Sequence, residues 1–507
     1  MAKAVKGERP DAPEPSSASN NKTAAAGKSS SGLDRFFKIS ERGSTVGTEI
    51  RGGVVTFFAM AYIIILNPLI LGTTADHSGN MLGTSRVAAV TALAAGIMTI
   101  AFGIFAKYPF GIAAGLGINT LVAVTFVATE GLTWPEAMGL VVLDGIVIVV
   151  LALSGVREAV FNSIPDSLKA AIGVGIGLFI ALIGLVDAGF VRRIPDAAGT
   201  TVPVSLGING SIASWPTLVF VLGLFICGAL VVRRVRGGLF IGIVVTTIIA
   251  LVVEAVTGTG PSFVDGQPNP KGWNLAVPEL PNSLGGLPDL SLVGAVNLFG
   301  AFSRVGVLAA ALLLFTLVLA NFFDAMGTMT ALGKQAQLVD DKGNLPNLRT
   351  ALVVEGAGAV VGGAVSGSSN TVYVDSAAGI GDGARTGLAN VVTGVLFLLA
   401  MFLTPLYEIV PIEAAAPVLV IVGALMMSQI RDIDFSQFDI ALPAFLTIVI
   451  MPFTYSIANG IGVGFIAYVF MAVVGGKAKK VHPLLYVVAI LFVVYFVVDP
   501  VLGAIQG

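Results

Sequence analysis

Asn321–Phe322–Phe323–Asp324–Ala325–Met326–Gly327–Thr328 follows the apolar run Leu312–Ala320. That order puts Asp324 deep in a membrane-spanning helix, where an acid costs about 2.5–3.5 kcal/mol on insertion scales and is kept for a purpose. About fifty residues on, Gly362–Gly367 leads into Ser368–Ser369–Asn370–Thr371–Val372–Tyr373–Val374–Asp375–Ser376, which places a second acid in an apolar setting. Two such acids imply one polar cavity inside the bilayer, faced by Asp324 and Asp375.

Composition agrees with a membrane setting. The 507 residues are 55% hydrophobic and 11% charged, with a mean hydropathy of +0.92. No soluble domain buries that much apolar surface in separate runs near 20 residues, so the chain reads as an all-α polytopic membrane protein. A net charge of −2 with no basic stripe excludes a nucleic-acid partner. Cys227, the single cysteine, lies in an apolar run and reads as packing. Residues 1–32, rich in Ala, Ser, Lys and Pro, read as a disordered cytoplasmic tail.

Outward from Asp324, the runs count as fourteen membrane elements. Residues 33–256 hold seven as a first repeat, and 304–476 hold seven as a second. The polar, Pro/Gly-rich stretch 257–303 is an extracytoplasmic loop, and 477–507 carry a basic turn and an extra apolar segment, Leu484–Val498. The third element of each set is short and broken. In the first half it is Pro109–Thr120, with glycines at 111, 115 and 117 before Asn119; in the second it is the broken Thr371–Ile380 segment, where the Ser368–Asp375 stretch has the same character. Broken segments at matching places in two halves point to inverted repeats with the site between them. Asn119 reads as the N-cap where extended backbone becomes a half-helix. Backbone N–H groups exposed near Asn119 and Tyr373 then complete a ligand's hydrogen bonds, while Phe57, Phe126 or Phe323 stacks on its face.

Seven is odd, so the halves insert with opposite orientations. Lysines and arginines favour one solution, with Lys107, Arg157, Lys169, Arg233, Arg234, Arg236, Arg385, Arg431 and Lys477–Lys480 inside and the N-terminus cytoplasmic. Asp144, alone in the fourth element, reads as a structural acid.

Several motifs together resemble one family. Leu33–Ser40, Arg51–Ile64, Gly115–Leu116–Gly117–Ile118–Asn119, Phe323–Thr328 and Ser376–Gly387 are similar to adenine/guanine/hypoxanthine permeases of the AzgA-like type, within the nucleobase–cation symporter group that holds xanthine and uracil permeases. The resemblance implies a core domain (elements 1–4 and 8–11), a gate domain (5–7 and 12–14), proton-coupled import of purine bases by alternating access, the inner or plasma membrane, and often a homodimer. It implies no cofactor beyond the proton gradient, and no enzymatic activity. By position, Asp324 and Asp375 become substrate-binding and proton-coupling acids, with Gly117, Asn119, Asn321, Phe323 and Tyr373 lining the site. The chain departs from the pattern at Asn321, where relatives carry an acid, and at Asp375, where they carry glutamate.

The chemistry suits these residue types. A purine is flat and edged with N–H donors and ring-nitrogen acceptors, and a carboxylate accepts from N–H groups and donates once protonated. Another base, xanthine or uracil, is the nearest alternative; an anion transporter on the same fold is further off. Gly379–Ile380–Gly381–Asp382 also spells the pattern of intramembrane aspartyl proteases, but beside Arg385 in a turn it sits at the wrong depth.

Overall fold

The computed structural model describes residues 32–154, 164–194, 203–264, 267–274, 276–280, 283, 285–340 and 345–506. The expected tail, Arg157 in the inside-charge pattern and the Phe323 side chain lie outside the described residues.

Long apolar runs become helices because the bilayer leaves the backbone no other donor or acceptor. Nine described helices are long and apolar enough to cross a membrane. In chain order the elements are span 1 (Val46–Met60 and Ile63–Leu71), span 2 (Thr84–Phe105), the broken span 3 (strand Ile112–Ala114, helix Leu116–Thr120, π-helix Leu121–Thr129) and span 4 (Trp134–Ser154). Spans 5, 6 and 7 are Asp166–Asp187, Trp215–Val232 and Gly238–Thr257. The second half repeats the order: span 8 (Val307–Gln335), span 9 (Leu348–Ala364), the broken span 10 (strand Asn370–Val372, a 3-10 turn at Val374–Ser376, helix Ala377–Gly381) and span 11 (Gly387–Ala400, running on to Tyr407). Spans 12, 13 and 14 are Ile412–Met426, Phe438–Phe453 and Ile457–Val474.

Packing follows the repeat. Span 2 lies on span 11 and span 4 on span 9, the same contact when each span is exchanged with the one seven places away. Span 1 on 11 has its mate in 8 on 4, 6 on 7 in 13 on 14, and 6 on 12 in 13 on 5. Glycine permits the two central crossings. A Cβ on Gly387 would stand 1.8 Å from the Gly103 carbonyl, and one on Gly145 would stand 2.7 Å from the Gly356 carbonyl, so helix backbones touch directly. Spans 1–4 and 8–11 form the core, and spans 5–7 and 12–14 form the gate. The two meet through mated contacts as well, span 5 on 8 with span 12 on 1.

The loop between the halves is anchored at particular described residues. Trp273 is buried and donates Nε1–H to Glu254 Oε2 at 2.7 Å, and Asn297 N–H donates to the Pro135 carbonyl at 2.8 Å. The sequence left Leu484–Val498 open between a fifteenth span and a segment lying on the bundle. Pro483–Gln506 is one helix, packed on spans 8 and 14, with Phe492 buried against Phe465 and Phe315 and an outer face of exposed Val487, Ile490 and Val497.

Candidate functional site

The two broken spans meet as a short antiparallel ladder, Ile112 opposite Val372, Ala113 opposite Thr371 and Ala114 opposite Asn370. Extended backbone at this depth needs protein partners, and it has them. Thr99 Oγ1 donates to the Ile112 carbonyl at 2.8 Å and accepts from its N–H at 3.0 Å. Ser376 Oγ accepts from Gly111 N–H at 2.9 Å and donates to the Tyr373 carbonyl at 2.7 Å, while Asn390 Nδ2 donates to the Phe110 carbonyl at 2.6 Å. Gly115 is tight for a reason. A Cβ there would come 2.9 Å from Thr371 Cγ2 across the crossing.

The half-helix of span 3 starts at Leu116, one residue after Gly115, whose backbone is extended (φ −71°, ψ 121°). Asn119 is therefore inside the helix, its N–H bonded to the Gly115 carbonyl at 2.8 Å, and the expectation of an N-cap at Asn119 is corrected. Its side chain is wholly buried, and neither the amide nitrogen nor the amide oxygen bonds to any described residue. Leaving such a donor and acceptor unmade costs about 1–3 kcal/mol each.

Asp375 lies in the first turn after Tyr373, at a half-helix N-terminus where backbone N–H groups favour negative charge. Tyr62 donates its hydroxyl to Asp375 Oδ2 at 3.0 Å. Tyr62 stands at the break in span 1 between Met60 and Ile63, and its ring lies 6.3 Å from that of Tyr373 at 46°. Tyr373 donates its own hydroxyl to the Ala114 carbonyl at 2.5 Å, tying span 10 to span 3. Asp324 and Asp375 both lie within electrostatic reach of Tyr62 and Tyr373. Span 8 packs on all three pieces of span 10. Both acids are only partly buried, whereas Asn321, Tyr373 and Ser376 around them are buried. Two partly exposed carboxylates and two buried tyrosines thus stand together at the broken spans.

The remaining candidates divide. Gly117 is partly exposed and faces the gate, where a Cβ would stand 2.8 Å from Ile176 Cγ2 of span 5. Asn321 is buried, and its Nδ2 donates to Asp144 and Ser369, so it joins spans in the interior. Of the expected stacking aromatics, Phe57 and Phe126 are corrected. Phe126 is fully buried in the core and Phe57 packs edge-on against Phe397 at 5.1 Å, while the rings beside the acids are Tyr62 and Tyr373. The expected free backbone donor at Tyr373 is spent, since its N–H bonds the Gly111 carbonyl at 2.9 Å. Tyr62 escaped sequence reading because it sits in a continuous apolar run. The available signal was the need of a buried tyrosine hydroxyl for a partner.

Asp382 does not join the site. It is buried at the loop end of span 10, ion-paired to Arg51 of span 1 and to Arg236 of the turn between spans 6 and 7, the latter at 2.5 Å. An acid so committed is no protease nucleophile activator.

The model of the Permease family that holds the xanthine/uracil permeases matches residues 47–463. The guanine/hypoxanthine permease PbuG of Bacillus subtilis is 37% identical over 472 residues, covering 92% of this chain and 99% of that one. The adenine permease AdeP of Escherichia coli is 35% identical over 466 residues, covering 92% and 96%. Among solved structures, the transmembrane domain of a cyanobacterium bicarbonate transporter, BicA, superposes with a TM-score of 0.56 at 14% identity, covering 82% of this chain and 97% of that one. SLC26A9 superposes with a TM-score of 0.56 at 12% identity. Those two likenesses concern the fold alone. By sequence over most of its length, and by the paired broken spans at its centre, this chain is a member of the xanthine/uracil permease family.

Proposed function

We propose that this protein carries purine nucleobases (hypoxanthine, guanine or adenine) across the cell membrane by alternating access, coupled to protons, with its N-terminus cytoplasmic. The observation that carries the reading is the grouping of Asp324, Asp375, Tyr62 and Tyr373 at the crossing of spans 3 and 10, with the buried Asn119 amide left without a described partner on the half-helix of span 3. Relatives covered almost end to end bear the names of guanine/hypoxanthine and adenine permeases, which supports the choice of cargo.

The chemistry follows from the groups. Asp375, oriented by Tyr62, accepts from N–H donors on one edge of the base. Asn119 offers one donor and one acceptor, matching a ring nitrogen beside an N–H. The tyrosines supply aromatic faces. Asp324 has no hydrogen-bonded cation among the described residues, so proton uptake is its way of losing charge inside the bilayer; we assign it the coupled proton. Transport then needs no cofactor, and the gate slides against the core to expose the site to each side in turn. A homodimer is compatible with the exposed apolar outer faces of the bundle.

Uptake of labelled hypoxanthine, guanine, adenine, xanthine and uracil, in cells stripped of their own permeases and with or without a protonophore, tests this. Purine uptake abolished by the protonophore is expected. Uptake of no base sinks the cargo assignment, and protonophore-resistant uptake sinks the coupling.

A further inference from the structure

Asn321 stands one turn before Asp324 on span 8 and is wholly buried. Its Nδ2 donates to Asp144 Oδ2 of span 4 at 2.9 Å, across 177 residues of sequence. The same nitrogen donates to Ser369 Oγ, at the entry to span 10, at 2.8 Å. The Ser369 carbonyl in turn accepts from the N–H of Gly115, the residue that caps the half-helix of span 3, at 3.0 Å. One line of hydrogen bonds therefore runs from span 4 through span 8 to both broken spans.

Asp144 is the ionisable member of that line. Both N–H groups of Asn321 are committed, so its amide cannot turn over without breaking both bonds. Bonds to a carboxylate are roughly twice as strong as neutral ones, so Asp144 decides which way the amide lies. Spans 4 and 9 are already held by the direct backbone approach at Gly145 and Gly356, and a wholly buried carboxyl is costly to keep. The other acids on the elements packed against span 4 are Glu355 of span 9, also buried, and Asp324 itself, with Arg304 and Glu130 toward its loop end.

We propose that Asp144 is a positioning residue of the transport site. It fixes the Asn321 amide, and through it holds the Asp324 turn in register with the half-helix starts of spans 3 and 10. This rests on the purine-transport reading above.

The test is labelled hypoxanthine uptake by wild type, Asp144→Asn, Asn321→Asp, the double variant Asp144→Asn/Asn321→Asp, and Ser369→Ala. Membrane abundance and Tm in detergent are measured alongside. Loss of one charge-assisted bond raises KM of Asp144→Asn about tenfold or more at wild-type abundance and Tm. Asn321→Asp sets two carboxyls in contact that hold one proton between them, and its uptake falls as rising pH removes that shared proton. The double variant restores a carboxyl–amide pair with the roles exchanged, and returns KM and the pH profile to near wild type. Ser369→Ala, which removes the other acceptor of the same amide, raises KM in the same direction. Wild-type KM in a well-expressed Asp144→Asn overturns the proposal, as does a folded double variant no better than Asn321→Asp. If Asp144→Asn is poorly made, the double variant decides. Wild type that takes up no base overturns the parent reading; wild type that transports, beside an unaltered Asp144→Asn, overturns this one alone.

Discussion

Tyr62→Phe removes one oxygen and leaves the ring. Tyr62 is 2% exposed, and its hydroxyl donates to Asp375 Oδ2 at 3.0 Å, so the substitution deletes one charge-assisted hydrogen bond and creates no cavity of consequence. Such bonds contribute about 1.5–3 kcal/mol, and each 1.4 kcal/mol is tenfold in an equilibrium constant. If the hydroxyl orients Asp375 toward the base, KM for hypoxanthine rises roughly 10- to 150-fold. The ring contact with Tyr373 at 6.3 Å is retained, so Vmax and membrane abundance stay near wild type. Initial-rate uptake against concentration, normalised to protein in the membrane, separates the two parameters. Tyr373→Phe is the control, because its hydroxyl bonds the Ala114 carbonyl and not a carboxylate, and it acts through the crossing. An unchanged KM in a well-expressed Tyr62→Phe would refute the reasoning, for it would mean that Asp375 is placed without help or takes no part in binding.

Three other outcomes follow from the same geometry. Asp324→Asn fixes the side chain neutral and is expected to abolish protonophore-sensitive accumulation while leaving base exchange down its gradient measurable; normal accumulation would remove Asp324 as proton carrier. Gly117→Val drives a branched side chain into Ile176, where even a Cβ stands 2.8 Å away, so Vmax should fall with little change in KM, as measured by the same uptake kinetics. Asp382→Asn takes the charge from contacts with both Arg51 and Arg236, which link core and gate at one face. Both arginines are largely exposed, so each pair contributes no more than about 1 kcal/mol, and exchange rates should change up to roughly fivefold with the Tm nearly unmoved.

Much of the architecture was legible in one dimension because the bilayer imposes a one-dimensional rule. Every run near 20 apolar residues has to close its hydrogen bonds on itself, so the spans and their number follow from hydropathy. The two interruptions at Gly111–Gly117 and Gly362–Ser376 were legible for the converse reason, since glycine and serine at that depth signal backbone that leaves the helix. Asp324 and Asp375 could be singled out because acids are rare in such surroundings.

What escaped the sequence is what depends on partners far away along the chain. Tyr62 reads as one more apolar residue until Asp375, 313 residues on, is beside it. Asp144 reads as a lone structural acid until Asn321, 177 residues on, donates to it. Asn119 was misplaced as a cap because local pattern cannot say whether the helix begins at Leu116 or three residues later. The ladder to span 10 decides that, since it holds Ala114 opposite Asn370 and releases the chain into the helix straight after Gly115. Sequence alone determined the membrane class, the fourteen elements, the two breaks and the two acids, because each is a property of a short segment in lipid. Tertiary structure decided which groups stand together at the broken spans, which are spent in bonding those spans to one another and which buried amide has no described partner, because those are properties of contacts that hydrogen-bond geometry closes only in three dimensions.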